Sequence, residues 1–319
     1  LAGLLARIRL TGAVQFCFMP SGAWHTDAGR AFAALHDPRE SGAMPFHIVA
    51  RGACWMETAD GHRQMLQEGD VLVFPTNAGH SFGMGEGGVG LTPTRDLPAQ
   101  PWSAIPVLRY GAGEDAGEEG VRLICGCIQC DAVRFTPLRQ ALPDLIHVRT
   151  REGGAGDWLR MVVEQMVREV DDPQPGGLSI LPRLTELIFI ELLRRQIGTA
   201  GARGWFAALA DPGLARCLSL IHDAPHRDWT LAALAEASGL SRSALEARFG
   251  AQLGTSAMRY VREWRLYLAS LALRSSRTSI ALLAQEAGYA TEAAFSRAFS
   301  RAFGRPPASY RAGREAGPG

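Results

Sequence analysis

Two hydrophobic periods divide the chain. From about residue 43 to 90, short β-rich runs (PFHIVARG, ACWMETADGH and EGDVLVFPTNAGHSFGMG) alternate with glycine turns, which is typical of successive antiparallel strands. From about 155 to 198 the apolar residues recur at helical spacing, and the same spacing returns from 229 to 311. The pattern therefore predicts an α+β chain with two domains, a β-rich N-terminal one and an all-α C-terminal one.

The β-rich region contains a hairpin signal and a second run of strand character. Asp60 and Gly61 stand between two apolar runs, and glycine accepts the positive φ that a tight hairpin turn requires. After a Pro- and Gly-rich stretch (92–120), the run VRLICGCIQCDAVRF is typical of a strand and is expected to close the same barrel or sandwich. The first ten residues, LAGLLARIRL, predict an amphipathic helix before these strands.

Two helices are predicted between the β region and the last domain. The apolar positions of residues 158–167 and 184–193 fit helices, and the stretch DDPQPGG joins them. Such a pair either docks on the β domain or pairs with its copy in a second subunit. We therefore expect a β domain (1–150), a helical connector and candidate dimerisation segment (151–210), and a helical domain (211–315).

An internal repeat dominates the C-terminal region. The block LAALAEASGLSRSALEARF begins at Leu231, and the similar block IALLAQEAGYATEAAFSRAF begins at Ile280. Each block has a small residue at the predicted helix crossing, a turn glycine, a polar cap (Ser241 or Thr291) and a second amphipathic helix. This order predicts two helix-turn-helix units, and the alternative is a pair of helical hairpins that merely pack.

The run TSAMRYVREWRLYLASLALR between the two blocks predicts one amphipathic helix. Its expected buried stripe contains Met258, Val261, Trp264, Leu268 and Leu271. A helix of about 20 residues spans about 30 Å, close to the ~34 Å repeat of one turn of the DNA major groove. The second helices of the two blocks are therefore expected to enter adjacent groove segments on one face of a duplex.

Composition and charge agree with two domains and narrow the partners. A chain of 319 residues is long for a single core, and the sequence contains no apolar run of the ~20 residues that a membrane span needs. From residue 228 onward there are 12 Arg against 7 acidic residues, whereas the preceding part carries 21 Arg against 25 acidic residues. This asymmetry favours nucleic acid as the partner of the C-terminal domain. Six cysteines without an export signal predict reduced thiols and a cytoplasmic protein.

Residues 229–311 resemble the AraC/XylS family of transcription regulators, and the run IALLAQEAGYATEAAFSRAFSRAFGRPPASYR carries most of the resemblance. The resemblance implies that one chain recognises a site of roughly 17 to 20 base pairs through both helix-turn-helix units, usually to activate transcription. One departure is the run GTSAMRY, where such proteins commonly carry proline near Ser256 or Ala257.

The resemblance also implies which residues bind DNA. The residues at base-facing positions are Arg242, Ser243, Glu246 and Ala247 in the first recognition helix, and Glu292, Ala293, Ser296 and Arg297 in the second. Arg242 and Arg297 are the strongest candidates, because arginine binds guanine or a phosphate with two hydrogen bonds. Glu246 and Glu292 either accept a hydrogen bond from cytosine or are solvated. Arg248, Thr291 and Arg301 complete the predicted set. Arg248 and Arg301 are expected to be phosphate contacts or surface charges.

The β region resembles a cupin domain, a regulatory module that many of these regulators carry. Gly69, Pro75 and His80 match the second cupin motif, with Asn77 where glycine is usual. The first motif fits poorly, because its His-x-His pair and following glutamate are missing around PFHIVARGACW. The resemblance implies a cupin-like antiparallel β-barrel with flanking helices, in which the standard metal site is incomplete.

Histidines and cysteines supply the candidate chemistry of this domain. The predicted effector, metal or redox residues are His47, Cys54, His80, Cys125, Cys127 and Cys130. Alternation along a strand places Cys125 and Cys127 on one face, from which both can reach the interior. Thiolates and imidazoles suit a transition metal (zinc, copper or iron), and low-pKa thiols react with oxidants. The alternative is that these cysteines are small buried core residues.

The sequence therefore predicts a transcription activator that binds DNA, has no catalytic activity and senses a small molecule, a metal or an oxidant in its N-terminal domain. Its expected partners are double-stranded DNA, RNA polymerase, the effector and a second copy in a homodimer, with no membrane. The alternative is a cupin-type metal-dependent enzyme with a helical appendage, which the incomplete first motif disfavours.

Overall fold

The structure is a computed structural model that describes residues 10–35, 42–111, 120–151, 157–199 and 202–312. Contacts divide the described residues into two compact units. The β unit comprises residues 10–130 and 142–195, and the helical unit comprises residues 131–141 and 196–312. The three-segment division expected from the sequence differs from this one, because residues 142–195 group with the strands and residues 131–141 group with the C-terminal helices. Within the described ranges, no helix is long and apolar enough to cross a membrane.

The β unit is built on two sheets. Its strands are β1 (Leu10–Pro20), β2 (Trp24–Asp27), β3 (Ala43–Arg51), β4 (Ala53–Thr58), β5 (Arg63–Gln67), β6 (Asp70–Val73), β7 (His80–Met84), β8 (Val89–Gly90), β9 (Val107–Tyr110), β10 (Arg122–Cys130) and β11 (Ile146–Arg149). One sheet has the order β11-β6-β3-β10-β1-β9 and the other β5-β4-β7-β2-β8. Neighbouring strands are antiparallel except at one edge of each sheet, where β9 pairs in parallel with β1 and β8 pairs in parallel with β2.

Sequence signals account for two of the tight turns in this unit. The hairpin predicted at Asp60 and Gly61 joins β4 to β5, and Gly61 has a φ of 82°. Asn77, which stands where the second cupin motif usually has glycine, has a φ of 54°. Asparagine tolerates this left-handed conformation better than most side chains, so the departure from the motif preserves the turn before β7.

The expected first helix, over the first ten residues, lies outside the described part of the chain except for its last residue. Leu10 is the first residue of β1, and residues 1–9 lie outside the described part of the chain. From Val14 to Pro20 every residue except Gln15 is buried, because β1 lies between β10 and β9 inside its sheet. A continuous apolar run fits a strand that is covered on both faces as well as it fits a helix.

Helices flank the strands of the β unit. They are α1 (Ala28–Leu35), α3 (Asp157–Asp171) and α4 (Gly177–Gln196), whereas α2 (Thr136–Ala141) belongs to the helical unit. Helices α3 and α4 are the helix pair predicted around DDPQPGG. A Cβ atom on Gly12 of β1 would overlap the Thr185 side chain, so α4 packs directly against the sheet. Within one chain α4 is therefore docked on the sheet, and pairing of the two helices with a second copy stays a prediction.

The helical unit contains α2 (Thr136–Ala141), α5 (Gly204–Ala210), α6 (Pro212–Asp223), α7 (Leu231–Ser238), α8 (Arg242–Leu253), α9 (Ala257–Ser275), α10 (Ile280–Glu286), α11 (Glu292–Phe303) and α12 (Pro307–Ala312). Helix α9 is the linking helix that was predicted between the repeats. Its 19 residues span about 28 Å at 1.5 Å per residue.

The buried face of α9 differs from the predicted stripe. Val261 and Trp264 are buried as expected, whereas Met258, Leu268 and Leu271 are only half-buried. The buried positions that the stripe omitted are Ala257, Tyr260, Leu266, Tyr267, Ala269, Ser270 and Leu273. One cause is chemical, because the Tyr260 hydroxyl is satisfied inside the core: it accepts from Trp205 Nε1 at 3.0 Å and lies 2.9 Å from His222 Nε2. The other is that α9 packs the second helix-turn-helix unit through its later residues Leu266, Ala269 and Leu273.

Candidate DNA-recognition surface and candidate sensor site

The first helix-turn-helix unit consists of α7 and α8. Thr230 caps α7, because its side chain accepts from Ala233 N, and Gly239 ends the helix with a φ of 74°. Ser241 then caps α8 by accepting from Ala244 N. Glycine is needed at the turn because the left-handed conformation disfavours side chains, and the serine satisfies an amide at the start of the recognition helix.

The second unit, α10 and α11, repeats these local features. Ser279 caps α10, Gly288 has a φ of 80°, and Thr291 caps α11 by accepting from Ala294 N. Thr291, predicted as a DNA-binding residue, is exposed and carries this capping role.

Each recognition helix buries one side and exposes the other. Leu245 and Phe249 of α8 are fully buried, as are Phe295 and Phe299 of α11. The exposed members of the predicted DNA-binding set are Arg242, Ser243, Ala247, Arg248, Thr291, Glu292, Ala293, Arg297 and Arg301, and the half-buried members are Glu246 and Ser296. The arrangement leaves the predicted base-facing side of both helices open to a groove.

Two of the predicted DNA-binding residues on α8 make contacts inside the helical unit. Arg248 Nη1 donates to both carboxylate oxygens of Asp211 at 2.9 Å, and Asp211 also caps α6. The Glu246 carboxylate accepts from the backbone N–H of Ala257 at 3.3 Å, at the start of α9. These contacts give both side chains a structural role in holding α8 against its neighbours.

A chain of three polar side chains lies inside the β unit. His47 Nδ1 is 3.2 Å from Cys125 Sγ, and His47 Nε2 is 3.0 Å from His80 Nε2. His80 Nδ1 is 2.8 Å from the carbonyl oxygen of Ala78. Neighbouring strands create the first contact, because His47 of β3 and Cys125 of β10 are cross-strand partners.

The Ala78 carbonyl fixes the direction of every hydrogen bond in this chain. A carbonyl only accepts, so His80 Nδ1 carries a proton and the Nε2 atom of the neutral ring accepts. His47 Nε2 must then donate to His80, which leaves His47 Nδ1 as the acceptor for the Cys125 thiol. The resulting order is Cys125 S–H to His47, His47 N–H to His80, and His80 N–H to Ala78.

Burial keeps all three groups uncharged. It lowers the pKa of His47 well below its ordinary value, with a further lowering by His80, and it lowers the pKa of His80 to about 4. The Ala78 carbonyl and the Asp27 carboxylate oppose the shift of His80. Burial raises the pKa of the Cys125 thiol well above its ordinary value, and Cys17 and Cys54 add to the rise. Near neutral pH the site is therefore two neutral imidazoles and a protonated thiol.

A small apolar cavity of about 30 Å³ borders this site. Its wall includes His47, Cys125 and Thr26, and the remainder is largely aromatic and aliphatic, with Phe16, Phe18, Phe32, Phe82, Ala28, Ala31 and Leu123. Thr26 is 4% exposed, and its hydroxyl has no hydrogen-bond partner within the described residues. The cavity is large enough for one water-sized group, which this hydroxyl is placed to bind.

The other predicted sensor cysteines are buried at different places. Cys54 belongs to the same core cluster as Cys125, and burial raises its pKa to about 12. Cys127 lies opposite Ala13 and Pro45, two positions along β10 from Cys125, so alternation gives it the same strand face. Cys130 lies opposite Leu10 and, by the same alternation, on the other face. Cys54, Cys127 and Cys130 therefore lie outside the hydrogen-bonded chain.

The donor set does not form an ordinary metal site. Among the described residues, no three His, Cys, Asp or Glu side chains form a group that could hold a metal ion. The reason is visible in the contacts, because Cys125 and His80 meet opposite nitrogens of the His47 ring and thus cannot share one ion with a single His47 nitrogen. The residues present do not fit the zinc, copper or iron centre that was considered for this domain.

Two residues near the site were not selected from the sequence. Thr26 lies in β2, and its only signal would have been its position on an inward-facing strand register. The Cys17 sulfur accepts from Arg122 Nε at 3.1 Å, and Cys17 lies close enough to raise the pKa of Cys125. Both depend on pairings between distant segments.

Comparisons with known proteins agree with both halves of the structure. Residues 1–198 match the cupin family Cupin_6, and residues 234–313 match the helix-turn-helix domain family HTH_18. The chain is 30% identical to an AraC-like transcription regulator of Streptomyces lividans over 295 residues, 89% of this chain and 91% of the relative. It is also 30% identical to the HTH-type transcriptional regulator AlkR of Acinetobacter baylyi, covering 84% of this chain and 88% of the relative.

A more distant relative has the same extent. The chain is 21% identical to the RCS-specific HTH-type transcriptional activator RclR of Escherichia coli over 279 residues, 86% of this chain and 87% of the relative. Together with the paired helix-turn-helix units and the β unit described above, these matches extend over both parts of the molecule. The chain belongs to the AraC-like transcription regulators, DNA-binding proteins that here combine an N-terminal cupin domain with two C-terminal helix-turn-helix units.

Proposed function

We propose that the chain activates transcription by inserting α8 and α11 into successive major-groove segments of one operator. The observation that carries the proposal is the matched exposure of the two recognition helices, each held by two buried apolar residues and joined by α9. A length of about 28 Å suits a pair of segments that lie about 34 Å apart along one DNA face. The name of the activator relative from E. coli supports the activating sign.

The proposed DNA contacts differ in their chemistry. Arg242 and Arg297 are exposed and would bind guanine edges or phosphates with two hydrogen bonds each. Arg301 is exposed near the end of α11 and suits a phosphate. Arg248 would contribute by fixing α8 through Asp211, and Glu246 through α9, so neither needs to touch a base.

Binding assays with the full chain test the DNA-binding proposal. The upstream region of its own operon and a pool selected from random duplexes would be titrated in gel-shift experiments at fixed salt. We expect a preference of at least about a thousandfold for the selected site over random DNA. Equal affinity for all duplexes would contradict sequence-specific recognition. Transcription in vitro with RNA polymerase then separates activation from repression.

For the N-terminal domain we propose a thiol sensor for oxidants, centred on Cys125. In the reaction with a peroxide, the Cys125 sulfur forms a bond to one oxygen while the O–O bond breaks. With hydrogen peroxide, His47 Nδ1 receives the thiol proton and passes it to the leaving hydroxide, which departs as water, so that the product is a sulfenic acid and His47 is again neutral. Two observations support this role, because His47 is the acceptor for the thiol proton and Cys125 borders the cavity. Burial opposes it, since burial raises the pKa of the Cys125 thiol and lowers the pKa of His47, so the reaction is expected to be slow.

Hydrogen peroxide is the probe for the sensor. Mass spectrometry of the treated full chain is expected to find oxidation first at Cys125, and promoter activity is expected to change with it. The Cys125→Ser variant should lose both responses and keep specific DNA binding. Cys217→Ser is the matched control, because Cys217 is also fully buried but lies in the helical unit. An unchanged response in Cys125→Ser would contradict the proposal.

The uncharged histidines provide a second test. Because the folded-state pKa of His80 is about 4 and its ordinary value is 6.5, the unfolded chain takes up a proton between these values and the folded chain does not. Stability should therefore fall as the pH drops from 7 to 5, by about 2 kcal/mol for such a histidine. Urea unfolding of wild type and His80→Gln at both pH values measures it. An equal pH effect in both proteins would contradict a neutral, buried His80.

The remaining partners are part of the same proposal. A second copy of the chain would pair in a homodimer through the helical segment 151–210, where Met161, Leu178 and Leu187 are exposed apolar residues. Sedimentation of the full chain at several concentrations tests the dimer.

The proposed location of the protein is the cytoplasm. That the chain has no catalytic activity stays a prediction.

A further inference from the structure

A short segment from the middle of the chain is built into the helical unit. This bridging segment (residues 131–141) consists of a 3-10 turn, Asp131–Arg134, followed by Phe135 and α2. In sequence it begins directly after the last residue of β10, yet its contacts place it in the helical unit. Two consecutive side chains of this segment, Phe135 and Arg134, contact α9 and α12, the helices that follow the two recognition helices.

Phe135 packs into the aromatic core around the linking helix. It is 2% exposed, and its ring centroid lies 5.3 Å from Tyr260, 5.1 Å from Trp264 and 5.5 Å from Tyr267, all in α9. Tyr260 in turn contacts Phe249, one of the two buried anchors of α8, at a centroid distance of 5.8 Å. Phe135 is thus one aromatic ring away from the first recognition helix.

Arg134 makes the corresponding contact to the second unit. Its Nη1 atom donates to the Tyr310 hydroxyl at 3.1 Å, and its Nε atom lies 3.7 Å from the Asp131 carboxylate. The Tyr310 ring lies 5.2 Å from Phe299, a buried anchor of α11. Arg134 is therefore one aromatic ring away from the second recognition helix.

The two tyrosines hold equivalent places in the repeat. Tyr260 is the fourth residue of α9, which follows α8, and Tyr310 is the fourth residue of α12, which follows α11. They are 50 positions apart, the same offset that separates Phe249 from Phe299. The bridging segment therefore contacts, through two consecutive residues, the equivalent tyrosine that follows each helix-turn-helix unit.

We propose that Arg134 and Phe135 are positioning residues that fix the spacing and orientation of the two recognition helices. Two binding modules held in the right geometry bind far more tightly than the same modules on a loose connection, because the second binding event is intramolecular. Helix α9 connects α8 of the first helix-turn-helix unit to α10 of the second. The bridging segment adds a second connection, which restricts rotation of one unit relative to the other about α9.

The test uses operators whose half-sites are moved apart. The selected operator and derivatives with one to four base pairs inserted between its half-sites would be titrated with the full chain. Two inserted base pairs rotate the second half-site by roughly 70° about the DNA axis, since B-DNA has about 10.5 base pairs per turn. Wild type is expected to lose at least about tenfold in affinity on this insertion.

Two conservative variants remove the proposed connection. Tyr310→Phe keeps the ring and removes the acceptor for Arg134, and Phe135→Leu keeps an apolar side chain and removes the ring contacts. For both we expect the penalty of the insertion to shrink to about threefold or less, together with weaker binding of the original operator. Phe206→Leu is the matched control, because Phe206 is also 2% exposed and lies in the same unit.

The outcomes separate a positioning role from a purely structural one. A variant that is only destabilised, as expected for Phe206→Leu, loses affinity for all operators alike and keeps the wild-type penalty. If Tyr310→Phe and Phe135→Leu also keep that penalty, the positioning role is wrong, whatever their absolute affinity. If wild type itself has no preferred operator, the proposed function has failed instead.

Discussion

The two helix-turn-helix units share a frame and differ in the surface that they offer to DNA. In both, a hydroxyl side chain caps the recognition helix, two buried residues anchor it and a glycine with positive φ precedes it. The anchors are Leu245 and Phe249 in α8 and Phe295 and Phe299 in α11. The buried side of the repeat is thus duplicated closely, while the exposed side has diverged.

The divergence is clearest on the line of residues opposite the anchors. At 100° per residue, the positions of α8 nearest to the line opposite the anchors are Ser243, Ala247 and Ala251, all exposed. The equivalent positions of α11, 50 residues later, are Ala293, Arg297 and Arg301. The first helix has a flat face of small residues, which permits close approach to base edges, whereas the second places a long, charged side chain at its centre.

A second difference lies where each unit joins the following helix. In the first unit Ala257 begins α9, and its N–H is bound by Glu246. In the second, Pro307 begins α12, and the residue equivalent to Glu246 is Ser296. Proline has no N–H to satisfy, so no carboxylate is needed there. The missing proline that sets this chain apart from the family pattern is thus compensated by a glutamate one helix earlier.

The largest expected loss of DNA affinity comes from replacing Arg297, at the centre of the exposed face of α11. Arg297→Ala should weaken binding to the selected operator by about 2 kcal/mol, roughly thirtyfold, if the proposed bidentate contact is to guanine. Arg297→Lys keeps the charge but not the paired donors, and should recover only part of the loss. Full recovery by lysine would show that Arg297 acts through charge alone, and titration against operators with single base changes measures the loss of specificity.

A bulky side chain should damage the flat face of the first helix. In Ala247→Leu the added side chain stands between α8 and the base edges, so we expect about tenfold weaker binding, with each blocked base-pair contact worth ~1–3 kcal/mol. The equivalent bulk is already present in α11 as Arg297. Binding by Ala247→Leu at the wild-type level would mean that α8 does not approach the bases closely.

The contact between Glu246 and the Ala257 N–H predicts that substitutions at these two positions have coupled effects on stability. Glu246→Ala leaves the Ala257 N–H without its partner, which should lower the free energy of unfolding by about 1 kcal/mol. In that background Ala257→Pro removes the donor itself and should restore stability, since Ser256 already has an extended φ of −87° and ψ of 155°. Urea unfolding of both single variants and the double variant gives the coupling, and purely additive effects would contradict it.

The smallest expected effect is at Gly250. A Cβ there would meet no atom within 4 Å, and glycine inside a helix costs about 0.5–1 kcal/mol relative to alanine. Gly250→Ala should therefore raise the stability and change the affinity by less than about twofold, because alanine keeps the face flat. A large loss of DNA affinity in Gly250→Ala would mean that the DNA lies against Gly250, which would contradict the expected small effect.

The elements that could be predicted from the sequence are those encoded by neighbouring residues. The Asp60–Gly61 hairpin, the caps Ser241 and Thr291, and the recognition helices all depend on patterns within one helix or turn. The incorrect stripe on α9 shows the limit of this approach, because Tyr260 is buried only once Trp205 and His222 satisfy its hydroxyl. Those partners lie 55 and 38 residues away in sequence.

The candidate sensor site shows the same limit. Strand alternation predicted that Cys125 faces the interior, and the cupin motif selected His80. That His47 lies between them follows from the register of β3 against β10, which no local pattern fixes. The position of residues 131–141 was likewise beyond prediction, because Phe135 has strand-like neighbours in sequence and helical ones in space.

Hydroxyl-radical footprinting of the wild-type chain on its selected operator tests the central claim most directly. With α8 and α11 in successive segments of one groove, we predict two protected patches whose centres lie about 10–11 base pairs apart on the same face of the duplex. Arg297→Ala should weaken the patch beneath α11 and leave the other. A single patch, or two patches on opposite faces, would contradict the account.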